Sequence, residues 1–160
     1  MRLRGLAVIM TKRTEQVVGA ISALVLGESI GMPAAIGVDA VEIMGFDRDV
    51  KVADDAFLTQ CFSAAEMEYC AGDVEKLATR FALKEAALKA LGTGIRGIGL
   101  RDIEVDTAIS GEPQLRLSTD AQAAAAARSI GQLRCSATRE AGLALAVVIA
   151  GSALNEEENI

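Results

Sequence analysis

Residues 78–94 place charges where an amphipathic helix should be apolar. At about 100° per residue, Val74, Leu77, Ala78, Phe81, Leu88 and Leu91 share one arc of a helix. Lys84 and Glu85 project into that arc, and Arg80 and Lys89 lie at its two edges. Inward-facing charge is costly unless it is paired or binds something. A site for an anionic ligand and a cation accounts for such a pattern. So does a solvated surface helix, because Glu85 and Lys89 are four apart in the order that favours a surface pair. A second acid stands out upstream. Asp39 interrupts an Ile- and Val-rich stretch, and aspartate is depleted from strands. Alone, it reads as a strand-ending residue that caps a turn, although Val41 and Ile43 resume the apolar pattern.

These residues need elements to hold them. Residues 34–44 read as a strand, followed by a polar stretch, 47–56, that is irregular or helical. Ser63 and Glu66 have the spacing of a capping box, which starts a short helix to about Cys70. Asp73 is placed to cap a long helix over 74–91, and Gly92 to stop it. Four glycines mark 92–99 as a loop. A strand is expected over 100–107, a turn at Ser110-Gly111-Glu112-Pro113, and a second strand over 114–117. Ser118 or Thr119 caps an alanine-rich helix to about Ile130. Two strands, 133–138 and 143–149, close the chain, joined around Arg139 to Gly142. Upstream, Val17, Val18, Ile21, Leu24 and Val25 have helical spacing within 11–28, broken by Gly31-Met32-Pro33. The domain therefore spans 34–150, with an N-terminal extension (1–33) and an acidic tail (151–160). The element order gives an α+β class, an antiparallel sheet packed on a long helix.

Composition removes several function classes. The chain has 160 residues, enough for one well-buried core. Hydrophobic residues are 51% but aromatics only 3%, so that core must be aliphatic. A net charge of −6 and scarce stacking side chains argue against a nucleic-acid partner. Cys61, Cys70 and Cys135 have no metal-ligand spacing and form an odd set, which fits reduced thiols in the cytoplasm. The longest apolar run, 144–150, is far short of the roughly 20 residues that span a membrane. Histidine is absent, which removes imidazole bases and ligands.

Three blocks in order then carry a family resemblance. They are Ile36-Gly37-Val38-Asp39 with Val41-Glu42-Ile43, Phe62-Ser63 with Glu66, and Arg80-Phe81-Ala82-Leu83-Lys84-Glu85-Ala86 followed by Lys89 and Gly92-Thr93-Gly94. Together they resemble the holo-acyl-carrier-protein synthases, the small 4′-phosphopantetheinyl transferases. The resemblance covers residues 36–150. It implies transfer of the 4′-phosphopantetheine arm of coenzyme A to a serine of an acyl carrier protein, with release of adenosine 3′,5′-bisphosphate. It implies Mg²⁺ held by Asp39 and Glu85, with these two and Lys89 as the catalytic set. Arg80, Lys84 and Lys89 would contact coenzyme A phosphates or position Glu85, and Gly92, Thr93, Gly94 and Arg139 would complete the coenzyme A site. It further implies a cytoplasmic homotrimer with active sites between subunits, serving fatty acid and lipid biosynthesis.

The chain departs from the family in three places. Ser136-Ala137-Thr138-Arg139 stands where the family has Ser-x-Ser-His. Arginine there binds phosphate but cannot be a general base; Glu140 or a metal-bound water would be left for that task. After the first block, Arg48 and Lys51 are the only cations near Met44 and Phe46, where the family offers arginines to the carrier protein. The third departure is the extension over 1–33. The first two departures leave an alternative: a catalytically impaired module of the same fold that binds coenzyme A or the carrier protein.

Overall fold

A computed structural model describes residues 33–53, 55–92 and 97–152. The helix expected over 11–28, the remainder of the extension and the tail from 153 lie outside them. The chain runs β1 (Pro33–Glu42), α1 (Ile43–Val52), α2 (Asp55–Cys61), α3 (Ala64–Cys70) and α4 (Val74–Leu91). A 3₁₀ turn (Leu100–Asp102) leads into β2 (Ile103–Thr107), β3 (Pro113–Leu117), α5 (Thr119–Ala126), β4 (Ile130–Glu140) and β5 (Leu143–Ser152). All strand pairs are antiparallel, in the order β1-β5-β4 in one sheet and β2-β3 in another.

Several boundaries differ from the sequence-based expectation. The first strand stops at Glu42, and Ile43 and Met44 open α1 instead, where Ile43 N donates to Gly142 O at 2.9 Å. Residues 100–102 form a turn before the strand, and α5 ends at Ala126 rather than near Ile130. Pro33 already belongs to β1, while Gly151 and Ser152 belong to β5, so both ends of the sheet reach past the expected domain limits. Arg139 and Glu140 lie in β4, because Ala141 and Gly142 alone make the turn, with φ of 51° and 77°. Positive φ at both central residues matches the twist of the flanking strands.

Helix α4 lies across one face of the three-stranded sheet. Ala82, Ala86, Ala87 and Ala90 of the helix join Ala146, Val148 and Ala150 of β5 in one buried cluster. Small side chains on both surfaces bring helix and sheet close together, which is how an aliphatic chain reaches interior packing density. A second cluster, with Phe46, Phe62, Leu77 and Ala78, fills the space under α1–α3; Phe57 and Phe81 pack against it, so all four phenylalanines gather there. The opposite sheet face is open. There Ile36 (54% exposed) and Val38 (50% exposed) align with Ile149 and Val147.

Two caps fix α3 and α4. Ser63 accepts from Glu66 N while Glu66 Oε2 accepts from Ser63 N at 2.8 Å, a complete capping box. Asp73 Oδ1 accepts from Glu75 N at 2.9 Å and Lys76 N at 3.2 Å. Gly92, at φ 62°, stops α4.

Candidate active site

Asp39 sits on the helix-facing side of β1, because side chains alternate along a strand and Ile36 and Val38 face outward. There it meets α4. Lys89 Nζ donates to Asp39 Oδ1 at 2.7 Å and to Val38 O at 3.0 Å. Glu85, one turn before Lys89, is partly buried and makes no hydrogen bond or ion pair among the described residues. Burial pushes its carboxyl up from the ordinary 4.5; the charge of Asp39 adds to that, and Lys89 opposes it. Two acids from different elements, Asp39 of β1 and Glu85 of α4, thus share one electrostatic environment around a single ammonium.

A second group of charged side chains lies on another face of α4. Arg80 is 6% exposed; its Nη2 donates to Thr107 Oγ1 at 3.0 Å, and its Nε is buried without a partner among the described residues. The Tyr69 ring lies 3.9 Å from the Arg80 guanidinium carbon, and Lys76 Nζ lies 5.0 Å from the same ring centroid. A cleft of about 460 Å³ opens here, lined among others by Tyr69, Lys76, Arg80, Thr107, Pro113 and Arg139. Arg139 is held only loosely by Glu75, at 3.7 Å. Three cations around a cleft with a polar and aromatic wall suit a phosphorylated nucleotide. None of Asp39, Glu85 or Lys89 lines this cleft. Arg80 and Glu85, five residues apart, are about 140° apart around the helix, so one chain presents the two groups in different directions.

The sequence profile of the 4′-phosphopantetheinyl transferase superfamily matches residues 35–148, most of the chain. This chain belongs to that superfamily. Its relatives within the phosphopantetheinyl transferases include the holo-[acyl-carrier-protein] synthase of Geobacter sp. (strain M21), 38% identical over 117 residues, which are 71% of this chain and 94% of the relative. The corresponding enzyme of Trichlorobacter lovleyi is 39% identical over 122 residues, 74% of this chain and 97% of that one. Among solved structures, the holo-[acyl-carrier-protein] synthase of Neisseria meningitidis gives a TM-score of 0.70 at 30% identity, covering 76% of this chain and all of that one. The Helicobacter pylori protein, solved with coenzyme A, gives 0.66 at 32% identity, over 72% of this chain and 99% of that one. The α+β fold expected from the element order is that of these transferases.

The remaining sequence-selected residues divide. Lys84 is not at either group. It is fully buried, and its ammonium donates to Cys61 O (2.7 Å), Glu66 Oε2 (2.7 Å) and Leu100 O (3.2 Å). All three donors are used within the protein, leaving none for the phosphate contact expected of it. Burial lowers its pKa, opposed by the hydrogen bond and charge of Glu66. Gly92 ends the helix with the Arg128 guanidinium lying against it: a Cβ there would sit 1.7 Å from Nη1. Thr93 and Gly94 lie outside the described residues. Glu140 is exposed at the end of β4.

Sequence reasoning missed Tyr69, Lys76 and Thr107. Only Lys76 carried a signal, being one helical turn before Arg80. The thiols take no part: burial pushes Cys61 and Cys135 up to about 11, leaving both protonated at neutral pH.

The described residues contain no cluster of three or more His, Cys, Asp or Glu side chains, which is the pattern of a self-sufficient metal cage. Two neighbouring carboxylates, one without a hydrogen-bond or ion-pair partner among the described residues, instead suit a hard cation that takes its other ligands from phosphate oxygens and water. Mg²⁺ fits this donor set.

Proposed function

We propose that this chain is a holo-acyl-carrier-protein synthase. It moves the 4′-phosphopantetheine group of coenzyme A to a serine hydroxyl of an acyl carrier protein and releases adenosine 3′,5′-bisphosphate. The observation that carries this reading is the convergence of Asp39 from β1 with Glu85 and Lys89 from α4. Asp39 and Glu85 hold Mg²⁺, which when bound supplies charge neutralisation at the pyrophosphate. Lys89 fixes Asp39 through its 2.7 Å contact, and its partly exposed side chain leaves the ammonium open to a substrate phosphate. Lys76, Arg80 and Arg139 bind the nucleotide phosphates, and the stacked Tyr69 holds the Arg80 guanidinium in place before the ligand arrives. An arginine side chain cannot act as a general base, so Arg139 serves binding alone. Phosphoryl transfer asks little covalent chemistry of the protein, and positioning with charge stabilisation supplies most of the rate.

The two groups face apart on α4, so a ligand that needs both takes them from two copies. The open apolar sheet face, with Ile36, Val38, Val147 and Ile149, supports assembly into a homotrimer. Free thiols support a cytoplasmic setting, and among the described residues no helix is long and apolar enough to cross a membrane. The catalytic domain takes in the whole sheet, from Pro33 of β1 to Ser152 of β5.

The deciding experiment incubates purified protein with coenzyme A and apo carrier protein, with Mg²⁺ or with chelator, and reads carrier mass. A gain of one phosphopantetheine group per carrier, only with the cation, is expected. Coenzyme A binding without any mass gain, unrestored by Arg139→His, would favour the impaired binding module instead.

A further inference from the structure

We infer that Gly37 is a positioning residue for the divalent-cation site, an inference that rests on the cation reading of Asp39 and Glu85. Gly37 and Asp39 lie on the same side of β1, one pleat apart, at about 7 Å along the strand. A Cβ on Gly37 would stand 1.8 Å from Ala86 O, 2.7 Å from Ala90 N and 2.9 Å from Ala86 C. Those are backbone atoms of α4, with no rotamer by which to retreat. Gly37 is not among the residues of positive φ, so its backbone does not demand glycine; the contact does. Ala86 and Ala90 are the immediate neighbours of Glu85 and Lys89.

Strand and helix backbones therefore touch beside the point where the two acids converge. Lys89 fastens the next two residues of the strand, Val38 and Asp39, to the same helix. The missing side chain at 37 sets the separation of the acids. A methyl there moves β1 off α4 by roughly 1.5 Å before ordinary contact is restored, and the Asp39 carboxylate moves with it.

The test measures binding of Mn²⁺, an oxygen-preferring spin probe, to metal-free full-length protein by electron paramagnetic resonance, with coenzyme A present to supply phosphate oxygens. Gly37→Ala should weaken Mn²⁺ binding about 10- to 100-fold, the usual effect of disturbing residues that orient metal ligands. Leu77→Ala, which loosens the separate aromatic cluster, should lower the thermal midpoint yet bind Mn²⁺ like the parent. Adding Asp39→Glu to Gly37→Ala lengthens the acid by one methylene and should recover part of the lost affinity, whereas Asp39→Glu alone should reduce it. Parent protein that binds no Mn²⁺ overturns the cation reading itself. Parent binding with Gly37→Ala within twofold of it overturns only the positioning role, as does failure of the longer acid to rescue. If Gly37→Ala does not fold, Ala90→Val crowds the same contact from the helix side. Undiminished Mn²⁺ binding in that folded variant would equally refute the role.

Discussion

Glu85 is a carboxylate held where its charge is uncomfortable. Burial and Asp39 raise its proton affinity above that of the unfolded chain. The folded protein therefore binds more protons than the unfolded one between the ordinary 4.5 and the raised value, and folding is favoured as pH falls through that window. Above it, the charged group costs stability. At pH 7, Glu85→Gln should thus raise the thermal midpoint of the metal-free protein and, with Mg²⁺ and coenzyme A supplied, abolish transfer. Lowering the pH below the ordinary carboxyl range should erase the stability difference, and calorimetry across pH reads both. A lower midpoint for the variant at neutral pH would contradict the sign. Lys84 is the opposite kind of charge, satisfied within the protein. Lys84→Ala strands Glu66 in the interior and should cost about 3–5 kcal/mol by denaturant unfolding. Both residues were legible as inward charges on one helix. What the pattern could not tell apart was a ligand from an internal partner, because Glu66 had already been explained by its cap. Its second oxygen, which accepts from Val105 N at 3.0 Å, and its bond to Lys84 are tertiary contacts with no local signature.

At the level of elements, termini with side-chain caps were readable and those set by packing were not. The spacing of Ser63 with Glu66, and of Asp73 with Gly92, named both ends of α4 and the start of α3 because a cap is a local interaction. Asp73→Ala removes two acceptor contacts from the start of α4 and should cost about 1 kcal/mol, measured as a shift in urea midpoint. Its effect on transfer should be small, since Glu85 lies three turns away. By contrast, the start of α1 at Ile43 depends on a bond to Gly142, a hundred residues distant, and no window of neighbouring residues encodes it. The placement of Arg139 depends likewise on a two-residue turn. The connection was expected around Arg139 to Gly142, but its two-residue length was not, because Ala141 carries positive φ without being glycine.

Across the whole molecule, an acidic chain of net charge −6 concentrates Lys76, Arg80 and Arg139 around one cleft. Composition speaks only of the sum, so this local reversal was invisible to it. The open sheet face was equally hidden, because alternation in β1 and β5 gives apolar residues on both sides, and only α4 decides which side is covered. Val38→Glu places a charge in the middle of that open face. Light scattering after size exclusion should find the variant reduced to single chains, with transfer lost although Asp39, Glu85 and Lys89 remain in place. A Val38→Glu protein that is monomeric and fully active would show that one copy suffices.

Helix α4 carries the acid-bearing group on one face and the cation-lined cleft on another. In a ring of copies, each such rod would serve two reaction centres, one with either neighbour. A chain damaged on both faces, Arg80→Ala with Glu85→Ala, then disables more centres than its own share when it enters a mixed assembly. Co-expressed with intact chain, it should poison output beyond simple dilution, the behaviour of a dominant-negative allele.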